Sequence, residues 1–264
     1  MEKIGVVISK EWLELKEQRM LLVSILILPV MLSIIPLVSL FGIGLSPASS
    51  GTDDFTRELL KANPAFAGLS EQAATQALLG QSFSSLMLLL PMLLPSILAA
   101  YSIVGEKTGR TLEPLLAAPI TIWELLLGKI FATLIPSVVL SWLASVIFMI
   151  GVSSSAVDPR VISLVISPGW LLLLIFCAPL LSLIAIAAMV MISSRTSDPR
   201  TAQQYSSILV VPFLALFFSQ MFGILVLSPS IALVAILLIA AFAGLMLWGA
   251  VVLFQRDTIL TRWN

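Results

Sequence analysis

The sequence predicts an all-α integral membrane protein: six transmembrane helices with both termini in the cytoplasm, preceded by an amphipathic interfacial helix. Three observations predict it. The 264-residue chain is 59% hydrophobic and only 11% charged, whereas soluble domains carry about 25% charged residues. Its mean hydropathy is +1.10. Such a chain cannot cover its surface with polar groups, so its solvent is lipid. Second, six stretches, about 20–45, 83–104, 130–152, 168–193, 207–227 and 231–254, lack any Asp, Glu, Lys or Arg. Each reaches the roughly 20 residues that a bilayer-spanning helix needs. Third, lysine and arginine divide unevenly between the loops. With the N-terminus inside, the inner side holds Lys3, Lys10, Lys16, Arg19, Lys107, Arg110, Lys129, Arg195, Arg200, Arg256 and Arg262, and the outer side only Arg57, Lys61 and Arg160. Positive charge marks the cytoplasmic side.

The elements follow in order along one domain, 1–264. Residues 2–19 read as an amphipathic helix: Ile4, Val7, Ile8, Trp12 and Leu15 share a face, with Lys3, Lys10, Glu14 and Glu17 opposite. Such a helix lies in the membrane interface and anchors the first span. That span is too long and too late to be a cleaved signal sequence. The segment 46–82 is polar and rich in Ser and Ala. It is expected outside, as two small helices near 53–62 and 70–80 split by Asn63-Pro64. A second outer loop, 153–167, carries an apolar patch at Val161–Ile166 that suits the interface. Only Ser228-Pro229-Ser230 separates spans five and six, which therefore form a tight hairpin. Pro29, Pro36, Pro91, Pro95, Pro136, Pro179 and Pro212 fall within spans. Each removes a backbone donor, which membrane helices tolerate when neighbours satisfy the freed carbonyls. No internal repeat is visible.

Composition also excludes chemistries. There is no histidine, and the single cysteine, Cys177, lies in an apolar run as a small packed hydrophobe. No disulfide framework, cysteine–histidine metal site or intramembrane metalloprotease fits. The spans carry no carboxylate or histidine for a proton relay, although sodium sites of carbonyls and hydroxyls are compatible with them. Ser96, Ser137, Ser141 and Ser182 lie within spans without a histidine or lysine there to activate them. Close packing and interhelical hydrogen bonding are their expected roles. A phosphate loop needs G-x-x-x-x-G-K-[ST]; Gly128-Lys129 is followed by Ile130 and has Trp123 where the first glycine belongs. Any ATP is bound by another chain. No nucleic-acid partner is expected.

One stretch stands apart. "EKTGRTLEPLLAAPITIWELLLGK", residues 106–129, gathers charges and two prolines between apolar runs. Thr111–Ala117 can form about two helical turns along the inner face, with Pro114 in the first and Pro119 ending the piece. Thr121 and Glu124 then match a capping box at the start of the next helix.

The stretch resembles the signature of ABC-type-2 permeases, the membrane subunits of a class of ATP-driven exporters. It is carried by Glu106-Lys107, Thr111-Leu112-Glu113, Leu115-Leu116, Pro119 and Gly128-Lys129, and extends to "RTAQQYSSILVVP" (200–212) and "LFQRDTILTRW" (253–263). The resemblance implies a mechanism. Two permeases, identical or closely related, would pair above two cytoplasmic ATPase subunits that hold ATP and Mg. Segment 106–120 would be the coupling helix, with Glu106, Lys107, Arg110, Thr111, Leu112, Glu113, Leu115, Leu116 and Pro119 meeting the ATPase. Spans one and five would form the seam, with Ser219-Gln220 lining the pathway. The short link between spans five and six leaves no room for the re-entrant helices of polymer-exporting relatives. Uncharged spans suit an apolar or amphipathic cargo. Localisation would be a bacterial or archaeal plasma membrane. A self-contained sodium-coupled carrier or channel is the alternative; it would need no ATPase.

Overall fold

The computed structural model describes residues 2–45, 64–104, 121–193, 198–222 and 228–253. Among these residues the fold is entirely helical. Helix α1 (Glu2–Glu17) leads through Gln18 into α2 (Arg19–Leu45). Helix α3 (Glu71–Met87) continues through a turn at Leu88–Leu89 into α4 (Leu90–Ala99) and a π-helical turn, Ala100–Val104. Then come α5 (Ile122–Ser155), the short α6 (Pro159–Val165), and α7 (Pro168–Leu172). A second π turn, Leu173–Cys177, joins α7 to α8 (Ala178–Ser193). Helix α9 (Pro199–Ser206), a 3-10 turn, α10 (Val211–Met221) and α11 (Pro229–Leu253) complete the described chain.

Five stretches are long and apolar enough to cross a bilayer: Arg19–Leu45, Glu71–Ser102, Trp123–Ser155, Pro159–Ser193 and Pro229–Val252. They correspond to the expected spans one, two, three, four and six. The expected fifth, 207–227, is built from a 3-10 turn and the 11-residue α10 as far as Met221; residues 223–227 lie outside the described set. The layout has a clear centre. The most apolar window of Glu71–Ser102 is 78% buried, against 28% for Arg19–Leu45 and 11% for Pro229–Val252. The second long helix is therefore the one the others wrap.

That helix begins earlier than the apolar run suggests. Ser70 caps it, accepting from the Ala73 N–H at 3.2 Å, and residues 71–82, where the sequence predicts a separate small helix near 70–80, are its first turns. Ala73, Ala77, Gln76 and Ser82 are all buried. Polarity hid the span: three glutamines here face protein instead of water. Gln76 Nε2 donates to the carbonyls of Leu40 (3.0 Å) and Ser155 (2.8 Å), and its Oε1 accepts from Val157 N–H at 3.0 Å. Gln72 donates to Ile43 and Gly44, and Gln81 to Leu164. The carbonyls of Ile43, Gly44, Ser155 and Leu164 lie in the last turns of α2, α5 and α6, which helices leave without intrahelical partners; Leu40 lies one turn earlier in α2. The expected helix at 53–62 lies outside the described residues.

The patch Val161–Ile166 also turns inward. Val161 and Val165 are buried, and Val165 packs so closely on Gly80 that a Cβ there would sit 2.5 Å from its Cγ2. Buried serines serve two purposes. Ser137, Ser141 and Ser96 donate to carbonyls four residues back in their own helices, while Ser182 and Ser33 also reach across to other helices. Two prolines explain two of the cross-helix bonds. Pro95 cannot donate to the Pro91 carbonyl, and Ser182 Oγ does so instead at 2.7 Å. Pro136 cannot donate to the Ala132 carbonyl, and the Trp12 indole N–H does so at 3.0 Å.

Candidate functional site

The stretch of greatest interest in the sequence, Glu106, Lys107, Arg110, Thr111, Leu112, Glu113, Leu115, Leu116 and Pro119, lies outside the described residues. Both of its flanks are described, and both are tied down. On the far flank, Thr121 and Glu124 form the expected capping box. Glu124 N–H donates to Thr121 Oγ1 at 3.2 Å, and Glu124 Oε2 accepts from Thr121 N–H at 2.8 Å and from its hydroxyl at 3.0 Å. On the near flank, the π turn Ala100–Val104 presents Ser102.

Between the flanks sits a buried ion pair. Lys129 Nζ donates to Glu11 Oε1 at 2.7 Å. It also donates to the Ser102 carbonyl at 3.2 Å and to the Ser102 hydroxyl oxygen at 3.0 Å. The side chains are only 6% and 8% exposed, so this is not a surface pair. Burial by itself pushes the Glu11 carboxyl up. The charge of Lys129, its hydrogen bond, Ser102 and Lys10 outweigh that burial and hold Glu11 below the ordinary 4.5. An ionised pair at this depth is stable only because each charge finds several partners.

Helix α1 meets α5 at three successive points. Val7 packs on Gly128, where a Cβ would lie 2.6 Å from Val7 Cγ1 and 2.7 Å from Val7 Cβ. Glu11 meets Lys129, and Trp12 donates to the Ala132 carbonyl. Val7 and Glu11 are four residues apart and share one face of α1; Gly128 and Ala132 are spaced likewise on α5. The glycine admits the helix, the lysine fixes its register, and the carbonyl freed by Pro136 takes the indole. A cavity of about 40 Å³ beside the pair is lined by Glu11, Trp12, Tyr101, Ser102 and Thr133, among others. It has room for water and is far too small for a nucleotide or a lipid headgroup.

The expected apolar face of α1 is present: Val7 is buried, and Ile4, Ile8 and Leu15 are half-buried. Glu11 is the residue that sequence reasoning missed. The signal was available, because Glu11 completes the stripe 4, 7, 8, 11, 12, 15, and a carboxylate on an apolar stripe needs a partner. Of the two expected pathway residues, Ser219 is half-buried on α10; the side chain of Gln220 is not among those described. At the foot of α9, Asp198 caps the helix, accepting from Thr201 N–H at 3.0 Å and its hydroxyl at 2.8 Å. These bonds lower the Asp198 carboxyl.

A helical bundle with five bilayer-length apolar helices, with α1 fastened to it by a buried ion pair, defines a multi-pass membrane protein. Comparison with known families makes the assignment specific. A family model described as "ABC-2 family transporter protein" matches residues 6–229, which includes α1 from residue 6 onward, the junction and every described helix as far as the start of α11. The chain belongs to that family, the membrane permeases of ABC transporters. A search of curated proteins found no match.

Proposed function

We propose that this chain is the membrane subunit of an ATP-driven exporter, working as a pair of permeases above two cytoplasmic ATPase subunits that hold ATP and Mg. Segment 106–120 is the coupling element. Glu106, Lys107, Arg110, Thr111, Leu112, Glu113, Leu115, Leu116 and Pro119 make the contact with the ATPase. Six spans, with both termini in the cytoplasm, put this segment on the inner side. Spans one and five form the seam, with Ser219 and Gln220 at the pathway. The cargo is apolar or amphipathic, in keeping with uncharged spans.

The observation that carries the reading is how the segment is framed. A loop of no consequence would need no fixed ends. Here one end is locked by a capping box and the other by Lys129 on Ser102. A push on the segment is then transmitted to α4 and α5 instead of being lost in slack chain.

The test is affinity capture of the ATPase by tagged permease, with Glu113→Lys as the variant. Truncating one partner of a buried charge pair costs about 2–5 kcal/mol, and the sign reversal adds repulsion. Docking should weaken about thirtyfold or more, while the permease still inserts. Wild-type capture by Glu113→Lys removes Glu113 from the contact. A wild-type permease that brings down no P-loop protein and moves solutes without ATP would establish the self-contained carrier instead.

A further inference from the structure

The buried pair Glu11–Lys129 has a purpose that stability does not account for. Replacing a buried ion pair with apolar side chains is often neutral or stabilising, so a helix needing only an anchor would be better served by leucine. What an ion pair adds is register: it is satisfied in one alignment of the two helices and costly in any other. Here the alignment is fixed three times over, by Val7 on Gly128, Glu11 on Lys129 and Trp12 on the Ala132 carbonyl. Lys129 extends the tie to Ser102, at the end of the second long helix. The same ammonium thus joins the two helix ends that bracket residues 105–120 and pins both to α1.

We infer that Glu11 and Lys129 are positioning residues that make α1, the Ser102 turn and the first turns of α5 one rigid body. This rests on the exporter reading above. When an ATPase displaces the segment between Val104 and Thr121, the body moves as a unit. The interfacial helix is carried along, and the motion passes down α5. From Lys129 to Ser153 is 24 residues, or about 36 Å of helix. At that far end Gln76 holds the Ser155 carbonyl together with the Leu40 carbonyl of α2 and the Val157 N–H, so the displacement reaches α2 and α3 as well. Without the pair, α1 slides on α5 and the motion dissipates at the junction.

The experiment uses the permease–ATPase complex in nanodiscs, with Ser153→Cys as reporter. Ser153 is exposed at the far end of α5, and the lone native thiol, Cys177, is buried. The rate of maleimide labelling is measured with and without ATP and vanadate. Glu11→Gln and Lys129→Met should still capture the ATPase, but the nucleotide-dependent change in labelling should fall by about fivefold or more, the lower end of couplings between linked sites. A purely structural role predicts the reverse: lower thermal stability with the nucleotide response intact in the folded fraction. Single variants that keep the full response overturn the inference. Should the single variants not fold, Lys129→Arg carries the test. It keeps the charge, but its planar fork presents its donors to Glu11 and Ser102 in a different geometry from the compact ammonium, so it should fold, bind the ATPase and weaken the response; a full response overturns the inference. Failure of the exporter reading looks different. The wild-type chain then captures no ATPase and labels equally with and without nucleotide, and the positioning role falls with it.

Discussion

Gly128→Ala should destabilise the protein, whereas Gly5→Ala should not, although both add one methyl to a helix. Alanine is favoured over glycine in a helix by about 0.8–1.0 kcal/mol, and this gain applies at both sites. Around Gly5 nothing lies within 4 Å of the added Cβ, so the gain stands alone. At Gly128 the Cβ meets Val7 Cγ1 at 2.6 Å and Val7 Cβ at 2.7 Å. The second atom is fixed to the backbone of α1 and cannot rotate away, so α1 itself must retreat by about 1 Å to reach ordinary contact. That retreat stretches the 2.7 Å ion pair and the 3.0 Å indole bond behind it. Overpacking of this kind costs about 1–3 kcal/mol. Because propensity cancels, that range is the expected difference between the two variants. Adding Val7→Ala removes the Cγ1 clash but keeps the Cβ clash, so it should rescue only partly; Val7→Gly should relieve both. The assay is equilibrium unfolding in mixed micelles, with the four variants side by side. Equal stability of Gly128→Ala and Gly5→Ala would refute the keyed packing of α1 on α5.

Three further outcomes follow from other contacts. Ser182→Ala should cost about 0.6–1.7 kcal/mol, the range of interhelical hydrogen bonds in membranes. The loss should shrink in a Pro95→Ala background, where a backbone N–H returns to the Pro91 carbonyl; the four-variant cycle measures it. Thr121→Ala removes the cap and should destabilise by about 1 kcal/mol, seen as faster amide exchange in the first turn of α5. The third outcome concerns pH. The Glu11 carboxyl is held below its unfolded value in the folded state, so its contribution is full above the ordinary 4.5 and is lost as pH falls through the lower, folded value. Unfolding curves below 4.5 should converge for wild type and Glu11→Gln, having been separate at neutral pH.

Much of this fold was legible because a bilayer leaves few options. Charge-free runs marked five of the long helices, and the threonine and glutamate at 121 and 124 announced the start of α5 correctly. What misled was the reading of polarity as exposure. Gln72, Gln76, Gln81 and the serines around them set 71–82 apart as a polar outer segment with a small helix of its own, yet Gln76 is fully buried and Gln72 and Gln81 are half-buried, each donating to carbonyls of other helices. A sequence shows that a glutamine has donors and acceptors, not where its partners are. Glu11 is the same lesson with a charge: its partner, Lys129, is 118 residues away. Gly128-Lys129 was recognised as part of a family pattern, but its physical meaning, a notch and a register pin for α1, needed the packing.

The prolines show how one sequence feature divides into different roles once partners are known. Read along the chain, Pro95 and Pro136 look like points of weakness, each interrupting a helix by one missing donor. In the bundle each freed carbonyl is taken by a side chain from another helix, Ser182 for the first and Trp12 for the second. Bending at either proline would break a bond to a different helix, so these two act as joints that fasten the bundle. In the proposed exporter, motion driven from the segment between Val104 and Thr121 would be taken up elsewhere. The sites with looser backbone ladders are the two π turns, Ala100–Val104 and Leu173–Cys177, and the break at Leu88–Leu89 between α3 and α4. One π turn adjoins the segment itself and carries Ser102. The other is steadied by Trp142, whose indole N–H donates to the Leu174 carbonyl at 3.1 Å. Helix α5, fastened at Ala132 and capped at Thr121, is the stiff member between them, which is the property a lever needs.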